Sequence, residues 1–336
     1  MTTVATARGP VDVDDLGRTY MHEHIFVLSA DVQQNYPDEW GDEDARVDDA
    51  VAKLQELAAS GVRTIVDPTV VGLGRYVPRV ARVAERVPEL NIVVATGLYT
   101  YDDVPFFFHH RGPGLSVTLG TDVDLPDPMV DMFIGDITDG IADTGVRAGM
   151  LKCAIDHQGL TPGVERVMRA VPRAHHATGV PITVHTHPGS RTGVDVQRVL
   201  CTEEGVAPDR IVLGHSGDTT DCDHLSELAD AGFVLGMDRF GINVQTTFED
   251  RAATLIEMCR RGYAERMVLS QDAACYIDWI DPNVKALMTQ WHYLHIGDEV
   301  LPYCREHGVT DAQIDTMLID TPRRVLAPTA TNDAGG

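Results

Sequence analysis

Thr19-Tyr20-Met21-His22-Glu23-His24-Ile25-Phe26-Val27 is an apolar run that carries two histidines at alternate positions. Strand side chains repeat every second residue, so an extended segment turns His22 and His24 to one side and Glu23 to the other. Two neutral imidazoles on one face suit zinc, cobalt, nickel or iron. A single His-x-His is equally a pair of hydrogen-bonded histidines near a strand end. Recurrence downstream favours the metal: His185-Thr186-His187, His215, Lys152 and Asp272 also fall where apolar runs stop.

Those runs set the fold class. After residues 19–27 come apolar segments at 63–67, 91–98, 149–155, 182–187, 211–215, 233–237 and 267–270, separated by longer stretches with helical periodicity. Residues 48–59 place Val51, Leu54 and Leu57 on one helical face, 164–177 form a helix capped near Thr161-Pro162, and 250–261 carry Leu255 and Met258. Short strands that are apolar on both faces and alternate with helices predict a parallel sheet covered all round. With roughly eight such units, and no glycine-rich phosphate fingerprint after the first, a closed (β/α)8 TIM barrel of the α/β class is expected rather than an open sheet. Residues 109–127, with Gly112-Pro113-Gly114, Gly120 and Pro126, are read as a loop, residues 1–328 as one barrel domain, and 329–336 as a frayed tail.

Composition excludes several functions. The 43% hydrophobic content of 336 residues is ample for a core, and a formal net charge of -24 repels phosphate backbones and anionic lipid. Neither nucleic acid nor a membrane is therefore an expected partner, whereas a small neutral or cationic molecule is. The six cysteines show no paired spacing, and Cys153 sits in an apolar run, so they are read as reduced thiols. The residues after Met1 form no apolar signal core, and no uncharged stretch is long enough to span a bilayer. A cytoplasmic location is expected.

Barrel geometry gives the scattered polar residues a common address, because active sites of such barrels lie at the C-terminal ends of the strands. His22 and His24 close the first strand, Lys152 lies in the fourth, and His185, His215 and Asp272 end the fifth, sixth and eighth. Taken singly, each histidine could be a satisfied core group, Lys152 could snorkel and Asp272 could cap a helix. Their joint placement predicts a shared metal site. Lys152, in Gly149-Met150-Leu151-Lys152-Cys153-Ala154, is the odd member, since an ammonium among apolar neighbours beside divalent cations needs modification or a counter-charge.

With Lys152 in place, the sequence resembles the phosphotriesterase family of the amidohydrolase superfamily, and within it the phosphotriesterase-like lactonase branch. The likeness runs from Gly9-Pro10 to Pro322-Arg323-Arg324, through HEH at 22–24, VHTH at 184–187, LGHSGDTTD at 213–221 and the late Asp272. The resemblance implies two divalent ions (zinc, or cobalt, iron or manganese), bridged by N6-carboxylated Lys152 and a hydroxide nucleophile. His22, His24 and Asp272 would hold the more buried ion, and His185 and His215 the more exposed one. Asp272 would also accept the proton. His187 departs from the ligand pattern and is expected in the pocket wall or behind the ligands. Tyr99, in Thr96-Gly97-Leu98-Tyr99-Thr100-Tyr101, matches the tyrosine that lies over the metals in the lactonase branch. Arg239 and Trp279 would shape the pocket and Asp238 would support the ligands. Gln271 stands where lactonase relatives usually have histidine.

The activity implied is opening of lactones, above all N-acyl-homoserine lactones, hence quorum quenching, with slower organophosphate triesterase activity and a homodimeric assembly. The competing readings are a dedicated phosphotriesterase or carboxylesterase on the same metals, a one-metal deaminase-like barrel, which has no need for Lys152, and a non-catalytic binder. No Gly-x-Ser-x-Gly elbow surrounds Ser190, Ser216 or Ser270, so an acyl-serine route lacks its signature.

Overall fold

The computed structural model describes residues 2–121 and 123–329. Eight parallel strands make one sheet: β1 (Thr19–Tyr20), β2 (Thr64–Asp67), β3 (Asn91–Gly97), β4 (Met150–Ala154), β5 (Ile182–His185), β6 (Ile211–Gly214), β7 (Val234–Met237) and β8 (Met267–Leu269). Each pairs with its neighbour in chain order, and helices follow most of them, as a (β/α)8 barrel requires. Strand parity sorts the core. Val66, Val93, Ala95, Met150, Val212, Val234 and Val268 belong to an inner cluster, whereas Ile65, Ile92, Val94, Leu151, Leu213 and Leu235 face the helices in an outer one. Lys152 has the parity of Met150, so β4 aims it into the barrel.

The first apolar run is not one strand. It breaks after Tyr20 and resumes at His24–Val27, which pairs in parallel with Ala274–Ile277 at the barrel rim. The break occurs where the chain closes the barrel. Glu23 N donates to Val66 O at 2.9 Å on one side, while His24 N donates to Ala273 O at 2.8 Å and Asp272 N to His22 O at 3.1 Å on the other. His22 and His24 still turn to the same side.

Helix boundaries follow their caps. The helix read from residue 48 starts at Glu43 (Glu43–Ala59), because Asp42 accepts a hydrogen bond from Ala45 N at 2.8 Å. Pro162–Thr178 is capped by Thr161 and ended by Gly179 at φ +74°, and Phe248–Arg260 is capped by Thr247. The stretch 109–127 is not simply a loop. It contains Pro113–Leu119, with proline at the helix start and left-handed Gly120 at its end, and follows Phe106–His109. Arg166 ties this stretch down through Asp127 (2.6 Å), Phe108 O (2.9 Å) and Arg111 O (3.1 Å).

A hairpin of Thr3–Thr6 and Gly9–Asp12 covers the end of the barrel opposite the ligand residues, where Val4 joins Leu16, Val325 and Leu326 in the inner cluster. Thr329, read as the start of a frayed tail, is held by its amide to Gly179 O at 3.0 Å; residues 330–336 lie outside the described residues. All six cysteines are free thiols. No helix among the described residues is long and apolar enough to cross a membrane.

Candidate metal centre

Four imidazoles, one carboxylate and one lysine converge at the C-terminal end of the barrel. His22, His24, His185, His215 and Lys152 are all buried, at 2%, 7%, 2%, 1% and 1% exposure, so burial does not divide the histidines into an inner and an outer pair. The donor atoms do form two groups. His22 Nε2 and His24 Nε2 lie 3.4 and 3.2 Å from Asp272 Oδ1, and His185 Nδ1 lies 2.9 Å from His215 Nε2.

Three of the four histidines are hydrogen-bonded on their other nitrogen, and the fourth has a carboxylate beside it. His24 Nδ1 meets Thr69 Oγ1 at 2.7 Å, with Asp67 at 3.6 Å; His185 Nε2 meets Asp156 Oδ2 at 2.6 Å. His215 Nδ1 meets Asp238 Oδ1 at 2.9 Å, and His22 Nδ1 lies 3.2 Å from Asp238 Oδ2 without good hydrogen-bond geometry. Asp238 thus stands behind one histidine of each group. This is the outer shell that orients metal-binding imidazoles. His22, His24 and Asp272 offer ligand atoms within 4.8 Å of one another. A donor set of nitrogens and carboxylate with backed tautomers fits divalent cations.

Two ligand candidates have left-handed backbones. His215, just past β6, has φ +67°, and Asp272, three residues past β8, has φ +54°. Both turns bring side chains inward from positions where the strands have ended. The Asp272 turn is fastened by Glu23, whose fully buried carboxylate accepts Gln271 N (2.8 Å), Gln271 Nε2 (2.9 Å) and Ala273 N (3.0 Å). Gln271 is accordingly a buried strut, and its Oε1 accepts Ile296 N at 2.8 Å.

Electrostatics keep most of the imidazoles neutral and the carboxylate ionised. Burial, followed by the field of Lys152, lowers His22; burial lowers His185 to about 3 and drives His215 well down. Burial also opposes charge on His24, but hydrogen bonds to Asp272 and Asp67 outweigh it and raise the ring to about 9. For Asp272, burial would raise the carboxyl, yet His22, His24, His215 and Arg239 together hold it well below its ordinary value. Burial lowers Lys152 to about 8, and among the described residues its ammonium forms no ion pair.

The mouth of the site is a cavity of about 350 Å³ lined on one side by the ligand candidates and on the other by Leu73, Ile242, Val244, Ile277 and Trp279. Tyr99 also lines it: its hydroxyl is 3.1 Å from His185 Nδ1 and bonded to Tyr101, its ring is 5.9 Å from Lys152 Nζ, and Trp279 packs 5.9 Å away. Arg239 reaches Asp272 Oδ2 at 3.1 Å and Asp218 at 3.0 Å. His187 does not line this cavity. It turns outward, where Nδ1 bonds Ser190 Oγ at 2.9 Å and caps a short 3-10 turn. Sequence reasoning missed Asp156, Tyr101, Glu23 and Asp67. Asp67, which ends the second apolar run, and Asp156, which follows the fourth, carried the same strand-end signal as the ligand residues.

A parallel barrel with this polar constellation at its C-terminal rim defines a hydrolase that works with metal ions. The sequence model of the phosphotriesterase family matches residues 2–326. This chain belongs to that family, whose members are metal-dependent hydrolases with a binuclear centre. It is 57% identical over 327 residues to the phosphotriesterase homology protein of Mycobacterium tuberculosis, covering 97% of this chain and 98% of the relative. It is 36% identical over 320 residues to the aryldialkylphosphatase of Saccharolobus solfataricus, covering 94% and 97%. A solved structure of the phosphotriesterase from Mycobacterium tuberculosis superposes with a TM-score of 0.94 at 56% identity, over 98% of this chain and 100% of that one.

Proposed function

We propose that this protein opens lactone rings, with N-acyl-homoserine lactones as the principal substrates and organophosphate triesters as slower ones. The observation that carries the reading is the pair of donor groups around buried Lys152. His22, His24 and Asp272 would hold one divalent cation, His185 and His215 a second, and carboxylated Lys152 would join them; zinc, cobalt, iron and manganese all suit such donors. The cations supply Lewis acidity that polarises the scissile carbonyl or phosphoryl oxygen and acidifies water. Carboxylation needs a free amine to attack carbon dioxide, and burial of Lys152, which lowers it to about 8, supports that step.

The chain's own residues do the rest. Asp272, kept ionised by its cationic and imidazole neighbours and restrained by Arg239, is the proton acceptor. Tyr99 presents a hydroxyl beside His185, where it can bond the lactone ring, and Tyr101 holds that hydroxyl. The apolar wall of Leu73, Ile242, Ile277 and Trp279 suits an acyl chain and excludes water from it. The enzyme acts as a cytoplasmic homodimer on small neutral molecules, with no nucleic-acid or membrane partner.

A dedicated triesterase is the second reading, favoured by the name of the Saccharolobus relative. A panel of acyl-homoserine lactones, simple lactones and aryl phosphotriesters, run on protein of measured metal content, decides between them. Higher kcat/KM on lactones supports the first; a preference for phosphotriesters replaces it with the second. Activity that survives complete metal removal, or an acyl-serine adduct seen by mass, overturns both.

A further inference from the structure

Past the rim strand Ala274–Ile277, the segment His292-Tyr293-Leu294-His295-Ile296-Gly297-Asp298-Glu299 collects a second set of ligand atoms. His292, His295 and Glu299 place theirs within 4.8 Å of one another, outside the centre described above. His295 is fully buried, and neither of its ring nitrogens has a hydrogen-bond partner. Leaving an imidazole dry and unbonded costs about 1–3 kcal/mol, and Glu299 Oε1 lies 3.5 Å from Nδ1. Neighbouring ligands on a tetrahedral zinc ion, bound at about 2.0–2.1 Å, stand roughly 3.3 Å apart, so this spacing is that of two ligands to one ion.

The surroundings are arranged for the same purpose. Glu299 is exposed and gives an ion access from solvent, while Gln290 Nε2 donates to its other oxygen at 2.9 Å and orients it. Gln290 is in turn held by Asn243 Nδ2 at 2.6 Å. His292 is half-buried, and its Nδ1 accepts Leu294 N at 3.3 Å, a long contact that must give way for Nε2 to bind an ion, because only one nitrogen of a neutral ring carries the proton. Two imidazoles and an oriented carboxylate, with solvent on the exposed Glu299 side to supply a fourth ligand, make a set for zinc or a similar transition metal rather than calcium or magnesium.

We propose that His292, His295 and Glu299 bind an additional transition-metal ion with a structural role. The segment it would fasten supports the main centre from behind: Trp291 Nε1 donates to Asp272 O at 3.0 Å, Tyr293 donates to His24 O, and Ile296 N bonds Gln271. An ion here ties the chain that carries Trp291 and Tyr293 to the start of the helix at Leu301–Glu306.

The test uses holoenzyme of measured metal content, titrated with Co²⁺ and Zn²⁺, beside His292→Gln, Glu299→Gln and the double variant prepared in the same way. These two side chains reach the surface, so the fold survives their loss even if substitution of buried His295 does not. Wild type is expected to take up about one further ion per chain at micromolar free metal, with the intense visible bands of four-coordinate Co²⁺ and a rise in Tm. Each single variant should weaken that site at least ~10-fold and the double variant should abolish it, the main centre staying loaded. Equal metal content in wild type and double variant, or extra binding that needs millimolar metal, overturns the proposal.

Discussion

Removing the carboxylate of Asp156 tests the arrangement at its most specific point. Asp156 Oδ2 lies 2.6 Å from His185 Nε2, which fixes the proton there and turns the Nδ1 lone pair toward His215 and Tyr99. Asp156→Asn keeps an acceptor but loses the charge, and its amide can also donate to Nε2 and drive the proton to Nδ1, where it blocks a ligand. Asp156→Ala removes the partner altogether. Losing such an outer contact weakens metal sites about 10–100-fold, or about 1.4–2.7 kcal/mol. We expect Asp156→Asn near the lower value and Asp156→Ala near the upper, confined to one ion of the two. The assay is competition against a chromophoric chelator, with kcat/KM on a lactone alongside. Asp156 also accepts His157 N at 2.6 Å, so Tm must be recorded to show that the turn survives. If both variants bind two ions as tightly as wild type, the backing contact is incidental and His185 is not a ligand.

Lys152→Ala should lose most bound metal and nearly all turnover, and short carboxylates should partly restore both; a variant with two metals and normal rates refutes the carbamate bridge. In metal-free, carbon-dioxide-free buffer, Lys152 at about 8 lies below its unfolded value, so the unfolded chain binds the extra proton between about pH 8 and 10.5 and stability from this group rises with pH across that window. The difference in unfolding free energy between wild type and Lys152→Met should follow that rise, by up to about 3 kcal/mol, and a flat difference would show that the amine is not perturbed. Tyr99→Phe should lower lactonase kcat/KM more than phosphotriesterase kcat/KM, whereas equal losses make the tyrosine a packing residue. Glu23→Ala orphans three buried N–H donors around Asp272 and should cost about 3 kcal/mol or more by denaturant titration; a loss below about 1 kcal/mol would show that water or a local shift replaces the cradle.

The barrel was legible because its strands are short, apolar on both faces and separated by amphipathic stretches, a pattern that survives without any tertiary knowledge. The six proposed ligands were legible for the related reason that strand ends converge. What escaped were contacts made between distant turns. Nothing local marks Glu23 as the acceptor for amides nearly 250 residues away, or Gln271 as its partner, because both depend on how the barrel closes. The break in the first strand escaped for the same cause, since its hydrogen bonds go to two different neighbours. His187 misled through parity: it has the spacing of a ligand, but the chain leaves the strand at His185, and from there alternation no longer sets direction. The helix within 109–127 was hidden by its own proline and glycine, which there mark its two ends.

The left-handed backbones of His215 and Asp272 carry a conformational cost. A side chain with a Cβ pays roughly 1–2 kcal/mol for that conformation, glycine pays nothing, and aspartate and asparagine pay least among the rest. Exchange for glycine would relieve that strain but would strip Asp238 of His215 or Arg239 of Asp272, and orphaning a buried partner costs more than the strain releases. Asp272→Asn is the exchange that isolates charge from conformation. The two strained turns are thus held in place by the same buried partners that orient the ligand atoms, and neither can be relaxed without leaving its partner unpaired.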